Sequence, residues 1–206
     1  MSEVTEHNTQ GKAAGGSIRA AATSLPNILT YGRIAAVPAM AACFFYPGDS
    51  ARWLALAIFV AACITDFFDG YLARAWDQQS DLGRMLDPIA DKLLISVALL
   101  MLATVGTISG VHLWAALIIL CREVLVSGLR EFLAELRVSV PVTLMAKWKT
   151  TIQMVALGFL IAGDAGDKIV PYTTEIGLFG LWVAASLTLY TGYDYFRAGL
   201  GHIVDD

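Results

Sequence analysis

Residues 51–75 read ARWLALAIFVAACITDFFDGYLARA, and residues 81–91 read DLGRMLDPIAD. At about 1.5 Å per residue, the first stretch is long enough to cross a hydrocarbon core of about 30 Å as a single helix. It is apolar for most of that length and then carries Asp66 and Asp69; after a polar break at 76–81 (WDQQSD) the chain returns with Asp87 and Asp91. The polar break reads as a turn, so the second helix runs back antiparallel to the first.

Outward from this pair, further apolar runs extend over Asn27 to Tyr46, Arg84 to Ile108, Val111 to Leu133, Lys147 to Gly163 and Glu175 to Arg197, giving six spans with Ala51 to Ala75. The 206 residues are 57% hydrophobic and 16% charged, too apolar for a soluble domain of this length. Strands of a membrane barrel would alternate apolar and polar residues, and nothing here does. The expected fold is therefore all-α, a polytopic membrane protein of six transmembrane helices forming one domain over residues 25–206. Residues 1–24 are a polar tail without the pattern of a cleaved signal peptide. Within it, Ser17 to Leu25 can form a short interfacial helix on the membrane surface. Cys43, Cys63 and Cys121 are far apart in apolar runs and read as packing residues. A net charge of −4 with scattered basic residues argues against a nucleic-acid partner.

With six spans, both termini and the links at 76–83 and 134–146 share one side. Of the 14 Lys and Arg, only Arg52 and Lys168 fall at the other side, together with Asp49, Asp164, Asp167 and Glu175. The basic side, which includes the carboxylate end of the second span, is expected to be cytoplasmic, in a bacterial cytoplasmic (inner) membrane.

Ionised carboxylates inside a membrane pattern cost several kcal/mol or more unless paired or bound to metal. Asp66 and Asp69 are i, i+3 on one helix, and Asp87 and Asp91 are i, i+4 on the next, so each pair shares a face. Antiparallel return brings the four together. An all-oxygen ligand set favours two Mg²⁺ (or Mn²⁺) ions, which would nearly neutralise it. Gly70 and Gly83 leave room beside the carboxylates for a ligand or a neighbouring helix. The plain alternative is that the acids pair with Arg74, Arg84 or Lys92 only to hold the helices together.

The same residues spell Asp-x2-Asp-Gly-x2-Ala-Arg-x8-Gly-x3-Asp-x3-Asp from Asp66 to Asp91. This resembles the complete signature of the CDP-alcohol phosphotransferases. The resemblance implies transfer of a substituted phosphate from a CDP-linked donor to an alcohol, with release of CMP. It further implies that Asp66, Asp69, Asp87 and Asp91 ligate the metals, that Asp91 is also the catalytic base, that Gly70, Ala73, Arg74 and Gly83 border the CDP together with Asp66, and that the protein is a homodimer. A guanidinium at Arg74 suits a pyrophosphate on chemical grounds as well. Asn27, Thr30 and Arg33, at i, i+3 and i+6, form a polar stripe entering the first span and are assigned to the nucleotide.

Three more stretches, PNILTYGR at 26–33, REVLVSGLRE at 122–131 and KWKTTIQM at 147–154, resemble the bacterial phosphatidylglycerophosphate synthases. The implied donor is CDP-diacylglycerol, drawn from the membrane lipids, and the implied acceptor glycerol 3-phosphate. An acceptor with its own phosphate needs fixed cations, which Arg122, Arg130, Lys147 and Lys149 supply. Arg122 and Arg130 are i, i+8, about 80° apart around a helix, and can line one pocket. The alternative for Arg122 is an internal pair with Glu123, and for the lysines a role as membrane-side anchors. Rival functions are the same chemistry on inositol phosphate, serine or phosphatidylglycerol, and, from another class, a divalent-cation transporter using the carboxylates. An aspartate-rich prenyltransferase would carry adjacent acid pairs, which the site lacks.

Overall fold

The computed structural model of the protein describes residues 25–76, 81–135 and 144–204. The tail and interfacial helix expected within 1–24 lie outside the described residues, as do the links at 77–80 and 136–143. Six helices follow in order: α1 (Leu25–Cys43), α2 (Asp49–Trp76), α3 (Asp81–Thr104), α4 (His112–Glu135), α5 (Leu144–Asp167) and α6 (Thr173–Val204), with no strand among the described residues. The all-helical expectation holds.

Two helices, His112–Ala134 and Thr173–Arg197, are long and apolar enough to cross a membrane on length and composition alone. Large apolar side chains face outward elsewhere too: Leu54, Ile64, Phe68, Leu93, Leu100 and Val155 are all exposed. Water would penalise such a surface, whereas lipid matches it.

The helix ends differ from the sequence reading where glycine intervenes. α3 stops at Thr104, not Ile108, because Gly106 (φ 78°) takes a left-handed conformation that ends a helix, and Gly110 (φ 56°) turns the chain before α4. α5 continues beyond Gly163 to Asp167, but Gly163 itself is non-helical (φ 47°, ψ −134°), so the last turn is a separate piece. Asp167 then caps α6, its Oδ1 accepting from the Thr174 backbone N–H at 3.2 Å and its Oδ2 from the Thr174 hydroxyl at 2.6 Å. These bonds, the hydroxyl first, hold the Asp167 carboxyl below its ordinary range.

The chain divides into two compact units, one containing residues up to Pro38 with Phe59–Leu94, the other Ala39–Ile58 with Ile95 onward. The second unit is held by α6, which packs on both α5 and α4. Gly177 and Gly180 let α6 approach α5 closely: an added Cβ would lie 2.8 Å from Leu160 Cγ and 2.9 Å from Ala156 Cβ, respectively. At the other end of the same unit, Lys168 Nζ bridges Asp49 at 2.6 Å, and the Arg52 guanidinium donates to Thr107 at 3.0 Å while covering the Phe44 ring. Lys168 and Asp49, which the sequence places on one side, are thus in contact.

Candidate active site

In the first unit, α1 carries Asn27, Thr30 and Arg33 on one buried face, 2%, 1% and 1% exposed. Three and six residues return a helix to nearly the same side, so the polar stripe points inward from an apolar helix. Arg33 Nη1 meets Asp66 Oδ1 at 2.5 Å. The pair is asymmetric: the guanidinium is buried, and the Asp66 side chain remains 44% exposed. A buried guanidinium is costly unless a carboxylate compensates it, which makes Asp66 a structural partner as well as a candidate ligand. Cys63, one turn before Asp66, lies within electrostatic reach of Asp91, Asp66 and Arg33. Asp66 of α2 and Asp91 of α3 thus both lie near Cys63, and α1 supplies Arg33 to Asp66.

Asp66 has a cationic partner from α1, and the side chains of Arg74 and Arg84, the alternative partners for the motif acids, lie outside the described set. Lys92 donates to the Pro88 carbonyl at 3.1 Å, one turn back on its own helix. Asp69, Gly70, Ala73 and Arg74 lie in α2, and Gly83 and Asp87 in α3; their side chains are outside the described set. Among the described residues no group of three or more potential metal ligands gathers. Asp66 and Asp91, the two motif acids with described side chains, offer only hard oxygens, which suit Mg²⁺ or Mn²⁺.

In the second unit, α4, α5 and α6 build a polar cluster inside an apolar bundle. Glu123 is shared by two cations: Lys149 Nζ bonds its Oε1, and Arg122 Nη1 lies 3.6 Å from the same oxygen. Arg122 Nη2 also donates to Thr191 Oγ1 at 3.1 Å. Gly192 makes room for this reach, since a Cβ there would stand 3.2 Å from Arg122 Cγ and 3.6 Å from its Nε. Arg130 donates to the Tyr195 hydroxyl at 3.2 Å and lies over the Tyr195 ring. Arg122 and Arg130 thus address the same helix two turns apart. Both readings of Arg122 survive together, because its pair with Glu123 leaves its Nε without a partner among the described residues. Lys149 is 3% exposed, hence no surface anchor. Lys147 lies in α5 with its side chain outside the described set.

Thr191, Gly192 and Tyr195 were not legible as site residues in sequence, for threonine, glycine and tyrosine are ordinary in membrane helices. A usable signal was their spacing opposite Arg122 and Arg130. His112, to which the sequence assigns no role, accepts from Trp182 Nε1 at 3.1 Å and ties α4 to α6.

Residues 23–190 match the family model described as CDP-alcohol phosphatidyltransferase. The CDP-diacylglycerol–glycerol-3-phosphate 3-phosphatidyltransferase of Rickettsia bellii is 49% identical over 175 residues, 85% of this chain and 94% of that protein. Proteins of the same name from Cereibacter sphaeroides and Pectobacterium atrosepticum are 42% and 40% identical, covering 89% and 85% of this chain and 98% and 94% of their own. The motif and these matches over most of the length lead to one conclusion: the chain belongs to the CDP-alcohol phosphatidyltransferase family.

Proposed function

We propose that the protein transfers the phosphatidyl group of CDP-diacylglycerol to glycerol 3-phosphate, giving phosphatidylglycerophosphate and CMP, as its relatives are named to do. The observation that carries the acceptor assignment is the Arg122–Glu123–Lys149 cluster, in which Lys149 is buried. Two cations fixed around one carboxylate inside a membrane bundle are well suited to a second anion, and an acceptor phosphate is one. Acceptors without a phosphate, such as serine, would leave that charge unused.

In this reading Asn27, Thr30, Arg33 and Arg74 hold the nucleotide, with Gly70, Ala73 and Gly83 allowing its close approach. Asp66, Asp69, Asp87 and Asp91 would hold two Mg²⁺ or Mn²⁺ ions, which when bound stabilise charge on the pyrophosphate. Asp91 takes the proton from the primary hydroxyl of glycerol 3-phosphate, whose oxygen then attacks the diacylglycerol-bearing phosphorus as CMP leaves. Arg122, Arg130, Lys147 and Lys149 bind the acceptor phosphate. The protein would act as a homodimer in a bacterial cytoplasmic membrane, its termini and active site facing the cytoplasm, its donor arriving from the lipid. CMP release from CDP-diacylglycerol by purified protein, with glycerol 3-phosphate against inositol phosphate, serine and phosphatidylglycerol, tests the assignment. Metal flux into liposomes without CMP release would point to transport instead, a reading that the names of the relatives do not favour.

A further inference from the structure

One turn along α5 from Lys149, Gln153 is 1% exposed and its Oε1 has no hydrogen-bond partner among the described residues. On α6, one turn from Thr191, Thr188 is fully buried and its hydroxyl is equally unpartnered. The second case is the more unusual. Hydroxyls in apolar helices satisfy themselves by donating to the carbonyl four residues back. Thr191 does so to Leu187, Ser186 to Trp182 and Thr104 to Leu100, at 2.8–3.0 Å. Thr188 does not. A buried polar atom left unpaired is destabilising, so these two, each one turn from a member of the cationic cluster or its partner, are a deficit that a ligand can relieve.

The helix register places them one turn apart along the same interface. Leu160 meets Gly177 and Ala156 meets Gly180, and the same antiparallel register, carried on, sets Gln153 by Ala184 and Lys149 by Thr188. Gln153 and Thr188 therefore flank one stretch of the α5–α6 interface, next to the cationic cluster. Their chemistry is different from that cluster's. Arginine and lysine only donate and so suit phosphate oxygens, whereas an amide and a hydroxyl both donate and accept and so suit an alcohol.

We propose that Gln153 and Thr188 are specificity-determining residues that read the secondary hydroxyl of the acceptor while Arg122 and Lys149 hold its phosphate; this rests on the glycerol 3-phosphate reading above. A site built to bond a hydroxyl rejects an analogue lacking it, because its own polar groups then stay unpaired.

The test compares glycerol 3-phosphate with 3-hydroxypropyl phosphate, which lacks only the secondary hydroxyl, in purified wild type, Gln153→Met and Thr188→Val. CMP release and thermal melting are both measured. The wild type is expected to prefer glycerol 3-phosphate in kcat/KM by at least about tenfold. Each variant should reduce that ratio severalfold or more while melting at or above the wild-type temperature, since an unpaired polar group has been replaced by an apolar one of similar shape. An unchanged ratio in both variants overturns the proposal, as do lower melting temperatures with equal losses on the two acceptors, the mark of a packing role. A wild type that releases no CMP with either acceptor would instead remove the acceptor reading itself, and this proposal with it.

Discussion

Arg33 shows how a single side chain joins architecture to chemistry. Its guanidinium is buried and bonded to Asp66 at 2.5 Å, so the orientation of a motif carboxylate depends on a residue from another helix. Lysine keeps the charge but loses the planar fork, and Arg33→Lys is expected to lower kcat/KM for CDP-diacylglycerol by roughly tenfold or more. Thr191→Val removes a hydrogen bond to a charged donor, an interaction of about 1.5–3 kcal/mol. Its expected effect is a KM for glycerol 3-phosphate raised by roughly tenfold or more, with little change in KM for CDP-diacylglycerol; steady-state kinetics with each substrate varied checks both variants. The sequence announced Asp66, Asp91 and Arg122 because charge is rare inside apolar runs. It was silent on Gln153, Thr188 and Gly192, which look ordinary until burial and missing partners mark them.

Among the elements, the α5–α6 pair depends on small residues that let two backbones close. Gly177→Ala forces a Cβ to within 2.8 Å of Leu160 Cγ and 3.1 Å of the Leu160 backbone nitrogen, and overpacking of this kind costs about 1–3 kcal/mol. Gly158→Ala is the control: its Cβ would meet Leu56 at 3.7 Å, an ordinary contact, so it should be neutral or stabilising. Thermal melting in detergent separates the two. The cap of α6 carries a pH dependence of definite sign. Because the folded state holds the Asp167 carboxyl below its usual value, the cap contributes fully above the unfolded pKa of about 3.9 and is lost as pH falls through the folded value. The stability difference between wild type and Asp167→Ala should stay constant from about pH 5 to 8 and shrink below about pH 4. Helix number and type were readable from hydropathy, whereas the ends were not: Gly106 and Gly163 stop or break helices through backbone conformations that an apolar run does not reveal.

At the scale of the whole molecule, the lipid-matched exterior and the two polar clusters divide the labour proposed for the chain. The first unit carries Asp66, Asp91 and the buried Asn27–Thr30–Arg33 stripe, and the second carries Arg122 and Lys149 around Glu123 together with Gln153 and Thr188, each with a side-chain oxygen unpartnered among the described residues. The motif's spacing pointed to the first cluster, of which the side chains of Asp66 and Asp91 are described. The second needed three-dimensional information, since Arg122, Lys149 and Thr191 come from three helices. The most direct measurement is CMP release from CDP-diacylglycerol by the purified protein with glycerol 3-phosphate, with and without Mg²⁺, beside Asp91→Ala. The account predicts Mg²⁺-dependent release with glycerol 3-phosphate, reduced by about 10²–10⁴-fold or more in Asp91→Ala. Release with a different alcohol only, or none with any acceptor, would contradict it.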